Sequence, residues 1–146
     1  MSSRRPQRMV RGAAPAAVYA RMVSSKRRIV SPKEFDKLVE RAIAKIPPRF
    51  LRRMHNVAFI VEPQGSSPNL LGLYVGRPLT ERSVGEGFVL PDRILIFQRP
   101  HERMARSIGH LEKLIHETVW HEVAHYFGMD EGQVRRAERR RARRGL

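Results

Sequence analysis

His121-Glu122-Val123-Ala124-His125-Tyr126-Phe127-Gly128-Met129-Asp130-Glu131 is the stretch that decides how this chain is read. Histidines four apart on a helix differ by about 40° around the axis and one turn along it, so their imidazoles can converge on one metal ion. Glu122 is rotated about 100° from His121, where it can face a water activated at the metal rather than the metal itself. This is the HExxH spacing of zinc hydrolases. Gly128, three residues after His125, is a natural left-handed stop for the helix. The chain can then turn back and offer a third ligand from Asp130 or Glu131, and catalytic zinc requires three protein ligands plus an open position. His116-Glu117 is an internal control, because Trp120 stands where a partner histidine would be needed. The competing reading is an ordinary helix with solvated histidines beside a core stripe of Leu111, Leu114, Ile115, Thr118, Val119 and Val123.

His55, His101, His110 and His116 have no comparable spacing and read as non-ligands. Trp120 and Tyr126 read as packing or shielding residues. Tyr74 or Tyr126 can donate to a developing oxyanion, and nothing in the sequence chooses between them.

Upstream, Ser31-Pro32-Lys33-Glu34 has the form of a helix start, with Ser31 as N-cap, Pro32 at N1 and Glu34 completing a capping box. Phe35, Leu38, Val39, Ala42 and Ile43 follow at helical spacing, and Pro47-Pro48 ends the run. Phe50, Leu51 and Met54 suggest a short helical turn. Strands are expected at Asn56–Glu62, at Leu70–Gly76 with glycine interrupting, and around Phe88–Phe97. Pro63–Pro68 reads as a loop and residues 77–87 as a polar connection. Pro91 within the third strand predicts an edge position or a bend. Helices are expected over Pro100–Ser107 and Leu111–Phe127. One helix, three strands and then further helices make an α+β layout. Val134–Arg144 can continue as an exposed helix, although arginines four apart oppose it in isolation.

The chain has 146 residues, no cysteine, and a formal charge of +15 from 29 Lys plus Arg against 14 Asp plus Glu. That length fits one domain. Lack of cysteine excludes a disulfide scaffold, a thiol nucleophile and thiolate zinc sites, leaving histidine and carboxylate as the strong zinc ligands. The longest apolar runs, such as Val57–Val61, fall far short of the roughly 18 residues of a membrane helix, so a cytoplasmic protein is expected. A charge this high suggests nucleic acid as a partner, but its distribution is uneven. Residues 1–30 carry +8 and residues 135–146 carry +6, whereas residues 31–134 are net +1. The chain therefore divides into a basic N-terminal extension (1–30) expected to be disordered, a domain (31–134) and an Arg-rich tail (135–146). Within 1–30, Ala13–Ala20 is short for a signal core and contains Pro15, and the Arg-rich composition weakly resembles a transit peptide. Translation from Met9 or Met22 is an alternative origin for that composition.

With Gly128 and an acid at 131, the motif becomes HExxHxxGxx(D/E), which resembles the small bacterial zincin-like metallopeptidases, or mini-zincins. Leu70-Leu71-Gly72-Leu73-Tyr74, Pro78-Leu79-Thr80-Glu81-Arg82 and Leu90-Pro91-Asp92-Arg93-Ile94 match the same pattern in the same order. The resemblance spans residues 31–131 and leaves both basic tails outside. It implies a single compact zincin-like domain, with a small mixed sheet and an HExxH active-site helix, binding Zn2+ and acting on peptide or protein substrates. It implies His121, His125 and Glu131 as metal ligands and Glu122 as the catalytic base. Aspartate is the more usual residue at the position of Glu131, which keeps Asp130 as a competing ligand.

Two rivals stand beside the peptidase reading. Bacterial ribosomal-RNA maturation endonucleases share a small fold with HGxxHxxGxxH, but here Glu122 replaces the glycine and Glu131 the last histidine. The other rival is a non-catalytic zinc-site protein binding RNA or an acidic partner through its tails. An extended peptide is expected to pair with the strand at residues 93–97, if that strand has a free edge.

Overall fold

The computed structural model describes residues 8–9, 30–77 and 91–145. The expected polar connection (77–87, beyond its first residue), the strand portion Phe88–Leu90, the Pro78–Arg82 motif and nearly all of residues 1–29 lie outside them. The described elements are β1 (Arg8–Met9), α1 (Pro32–Ala44), α2 (Pro48–Leu51), β2 (Val57–Glu62), β3 (Gly72–Val75), β4 (Asp92–Phe97), α3 (Gln98–Met104), α4 (Ile108–Tyr126) and α5 (Glu131–Arg143). This is the expected α+β class, built on three principal strands with the two-residue β1 added at one side.

α1 starts as its sequence dictates. The Ser31 hydroxyl accepts from the Glu34 backbone N–H, and the Glu34 carboxylate accepts from the Ser31 N–H, satisfying two otherwise unpaired donors. Its stripe of Phe35, Leu38, Val39, Ala42 and Ile43 is buried. That stripe meets Leu111, Ile115, Val119 and Val123 of α4, and both helices rest on Phe59, Val61, Ile94 and Ile96 of the sheet. Because alternate strand residues face opposite sides, Ile60, Leu95 and Phe97 form a smaller cluster on the other face with Ala58, Leu70 and Val75.

The sheet order is β1-β2-β4-β3, with β2 and β4 parallel and β3 antiparallel to β4. The expectation of an edge position for the third strand is therefore wrong: β4 is flanked on both sides. Pro91 lies just ahead of the strand, where its missing N–H removes no ladder bond, and the first β4 donor, Asp92 N–H, bonds Asn56 O at 3.0 Å. Among the described strands the edge beside α4 is β3.

Other boundaries differ as well. α3 follows β4 without a linker and ends at Met104, earlier at both ends than the expected Pro100–Ser107. It is anchored by Arg99 N–H on Pro63 O and by buried Gln98 and His101. Within the N-terminal segment read as disordered, Arg8 and Met9 pair with Val61 and Ile60, and Val30 is already buried. The boundary read between residues 134 and 135 falls inside α5, a continuous helix. Among the described residues no helix is long and apolar enough to cross a membrane.

His101 is fully buried between α3 and α4. Its Nδ1 lies 2.6 Å from Phe97 O, so that nitrogen carries the proton, and Nε2 faces the Thr118 hydroxyl at 2.8 Å. Burial lowers its pKa from 6.5 to about 4, with the carbonyls of Phe97 and Leu114 opposing the shift. The folded chain thus keeps His101 neutral in a range where the unfolded chain protonates it, and stability rises with pH there. Between pH 6.5 and 4 this residue should account for a loss of about 3 kcal/mol of folding free energy. Urea-midpoint profiles of wild type and His101→Gln test this: the variant should lack that part of the acid slope.

Candidate metal centre

α4 carries the two histidines and the turn after it brings them a carboxylate. Ser107 caps the start of α4 by accepting from the His110 N–H. At the other end the chain stops as Gly128 predicts, with a φ of 86°. Gly128 N–H bonds His125 O at 2.9 Å and Met129 N–H bonds Ala124 O at 3.1 Å, the paired bonds of a Schellman stop. Two residues on, α5 begins with a second capping box. Asp130 Oδ1 accepts from Gln133 N–H, and Gln133 Oε1 from Asp130 N–H, each at 2.8 Å.

This reversal sets Glu131 Oε1 3.2 Å from His121 Nε2 and 2.8 Å from His125 Nε2. The three side chains each offer one ligand atom, all within 4.8 Å of one another. The donor set fits zinc: two imidazole nitrogens and a carboxylate oxygen are its usual hard-to-borderline ligands, and ligand atoms around tetrahedral zinc stand about 3.3 Å apart. The other histidine nitrogens are occupied, His125 Nδ1 by Met129 O at 3.0 Å and His121 Nδ1 by Glu138 Oε1 at 3.2 Å. Both Nε2 atoms are left facing the centre. Asp130 is outside the group, its carboxylate being taken by the cap.

Glu122 is buried on the adjacent face of α4, against β3. Burial raises its pKa; His121, His125 and the hydrogen bond from the Tyr74 backbone N–H partly offset this. A carboxylate held above its usual range is better suited to exchanging protons near neutrality. Burial alone would lower the His121 pKa, but hydrogen bonds to Glu138 and Glu131 and the charge of Glu122 raise it overall. For Glu131, slight burial acts upward but the two histidines prevail and lower its pKa.

These groups line a cleft of about 550 Å³ between β3 and the end of α4, with Leu70, Gly72, Leu73 and Tyr74 on the strand side. Among the described strands the one at the sheet edge beside this cleft is β3, not residues 93–97, because β4 is paired on both sides. Both tyrosine hydroxyls considered as oxyanion donors are engaged within the fold. Tyr74 donates to Asp92 Oδ2 at 2.7 Å, and buried Tyr126 donates to Arg53 O while accepting from His55 N–H. Trp120 packs edge-on to Phe50, lies under Arg141 and donates to His116 Nε2. His101 and His110 likewise serve local hydrogen bonds.

Three contributors do not stand out in the sequence: Glu138, the Met129 carbonyl and the Tyr74 N–H. Glu138 is detectable in principle, since it lies two helical turns after Glu131 and so on the same face of a helix. The other two are backbone groups, and residue identity carries no signal for them.

An α+β domain with HExxH on its central helix and a carboxylate returned by the following turn defines the zincin class. The zincin-like metallopeptidase family model matches residues 54–141, and the chain belongs to that family. No curated protein matches the chain.

Gly72 accounts for the glycine that interrupts the second strand motif. A Cβ there would lie 2.6 Å from Thr118 Cγ2, 3.1 Å from Leu95 O and 3.2 Å from Glu122 Cγ. Gly72→Ala should therefore push β3 away from α4, costing about 1–3 kcal/mol of stability, as overpacking does. Thermal unfolding of the purified variant measures it, and an unchanged midpoint would show that the strand has room to spare.

Proposed function

We propose that this protein is a zinc-dependent metallopeptidase in which His121 Nε2, His125 Nε2 and Glu131 hold the metal and Glu122 is the catalytic base. The observation that carries the reading is the convergence of both Nε2 atoms on one Glu131 oxygen, at 3.2 and 2.8 Å, beside a buried carboxylate. A bound zinc ion supplies Lewis acidity, polarising a carbonyl and acidifying water towards neutral pH. The chain's own residues do the rest. Glu122, held by the Tyr74 N–H at the floor of the cleft, accepts the proton of the attacking water and returns it to the leaving amine. Among the described strands β3 is the one beside the cleft, and an extended peptide lying in the cleft would run alongside Gly72–Tyr74. Glu122 also favours peptide over RNA chemistry, since the endonuclease motif has glycine at that place.

Three substitutions divide the roles. Glu122→Gln should keep stoichiometric zinc and lose at least 100-fold in peptide hydrolysis; retained turnover would remove Glu122 as base. Glu131→Ala should lose the metal on dialysis, as should His121→Ala. Asp130→Ala should cost about 1 kcal/mol of stability through the lost cap but retain zinc. Loss of metal from the Asp130 variant with retention in the Glu131 variant would reverse the third-ligand assignment.

A second reading concerns partners. Lys113, His116, Arg135, Arg139 and Arg141, with Glu117 and Glu138, line a groove of about 840 Å³ between α4 and α5. A polyanion such as RNA fits the excess of cations there. Binding of a fluorescent RNA oligonucleotide should weaken steeply with salt, with a slope lowered by about one for each phosphate-contacting arginine replaced. A salt-independent affinity would overturn this reading.

A further inference from the structure

Glu131 and Glu138 are seven residues apart on α5, so both lie on one face of the helix, about 20° apart in rotation. They reach the two nitrogens of the same imidazole: Glu131 Oε1 stands 3.2 Å from His121 Nε2, and Glu138 Oε1 stands 3.2 Å from His121 Nδ1. An ionised carboxylate only accepts, so each of the two favours a proton on the nitrogen that it faces. Once Nε2 ligates a metal ion it carries no proton, and Glu138 then accepts from Nδ1–H while the Nε2 lone pair is directed at the point where His125 and Glu131 meet. His125 is set in the same way by Met129 O, but that acceptor is backbone within the Gly128 turn. For His121 the acceptor is a side chain supplied from another helix.

The position of Glu138 is secured on both sides. Val134, one turn earlier, is buried. Arg141, three residues later, lies 4.9 Å from the ring centre of Trp120, the residue preceding His121. These contacts hold the arginine-rich helix against α4 with Glu138 between them. An exposed histidine–carboxylate pair would by itself contribute little to stability, so its value lies in orienting a ligand.

We infer that Glu138 is a positioning residue of the metal centre, holding His121 in the Nδ1–H tautomer and in the orientation that presents Nε2 to the ion. The Arg-rich tail is thereby tied to the site, because it shares α5 with the third ligand and supplies the support of the first. Outer hydrogen-bond partners of this kind typically alter metal affinity 10–100-fold. The inference rests on His121 being a ligand, as proposed above.

The test uses the full chain and zinc alone, with affinity measured by chelator competition at fixed pH. Glu138→Met removes the acceptor and the charge, while Glu138→Gln removes the charge and keeps an acceptor oxygen. The Met variant should bind zinc 10–100-fold more weakly than wild type, with Gln restoring most of the loss. In ¹⁵N spectra of the zinc-loaded protein, the His121 Nδ1–H should be hydrogen-bonded and slow to exchange in wild type and the Gln variant, and broadened by exchange in the Met variant. Helix content and thermal midpoint, measured alongside, register any separate effect on α5. Met within two-fold of wild type, or Gln and Met equally weakened, would overturn the positioning role while leaving the ligand assignment intact. A wild-type chain that binds no stoichiometric zinc would overturn the site reading and this inference with it.

Discussion

The reversal at Gly128 is the constraint on which the site depends. A helix that continued past Phe127 would carry residue 131 onward along its axis, away from the histidines. Instead a left-handed residue at φ 86° ends α4, and the Schellman bonds to Ala124 and His125 satisfy the carbonyls released there. The chain then needs a new helix start, which the Asp130–Gln133 capping box provides. Stop and start are close enough together that Glu131, the first residue of α5, lies against the last turn of α4. The same turn places Met129 O on His125 Nδ1, so one backbone conformation supplies a carboxylate and orients an imidazole.

The rest of the fold holds α4 still while this happens. Leu111, Ile115, Val119 and Val123 lock one face of the helix onto α1 and the sheet, which fixes the rotation of His121, Glu122 and His125 about the axis. Close approach of β3 at Gly72 sets Glu122 against the strand and buries it. Desolvation then raises its pKa and the Tyr74 N–H holds its orientation. Packing and acid–base character are thus two results of the same glycine contact. His101, wedged beneath between Phe97 O and Thr118, ties α3 to α4 close to that contact.

Much of this is legible in the order of residues. The Ser31 capping box, the Pro47-Pro48 stop, the apolar stripe of α1 and the Gly128 turn are local, and each is set by residues within a few helical turns of one another. The position of β4 is not. Pro91 suggests an edge, yet a proline just ahead of a strand leaves its ladder intact, and only pairing with both β2 and β3 reveals the central place. The tails also change meaning. Charge counting sets residues 135–146 apart as an appendage, whereas Val134 and Arg141 dock that segment and Glu138 reaches into the centre. A net charge describes composition and is blind to the one acid among the arginines that makes the contact.

By itself the sequence determined the class of this protein: an α+β zincin-like domain whose helix presents His121, Glu122 and His125 and then turns at a glycine. Helical geometry is a matter of spacing along one chain segment, so residue order suffices for it. Tertiary structure gave Asp130 and Glu131 different surroundings, because one carboxylate is engaged in a helix cap and the other points back at the imidazoles. It also decided that among the described strands β3, not β4, lies at the edge, that the Tyr74 and Tyr126 hydroxyls are engaged with Asp92 and Arg53, and that Glu138 backs His121. Each of these depends on which distant groups compete for the same hydrogen bond, and that competition exists only once the elements are packed.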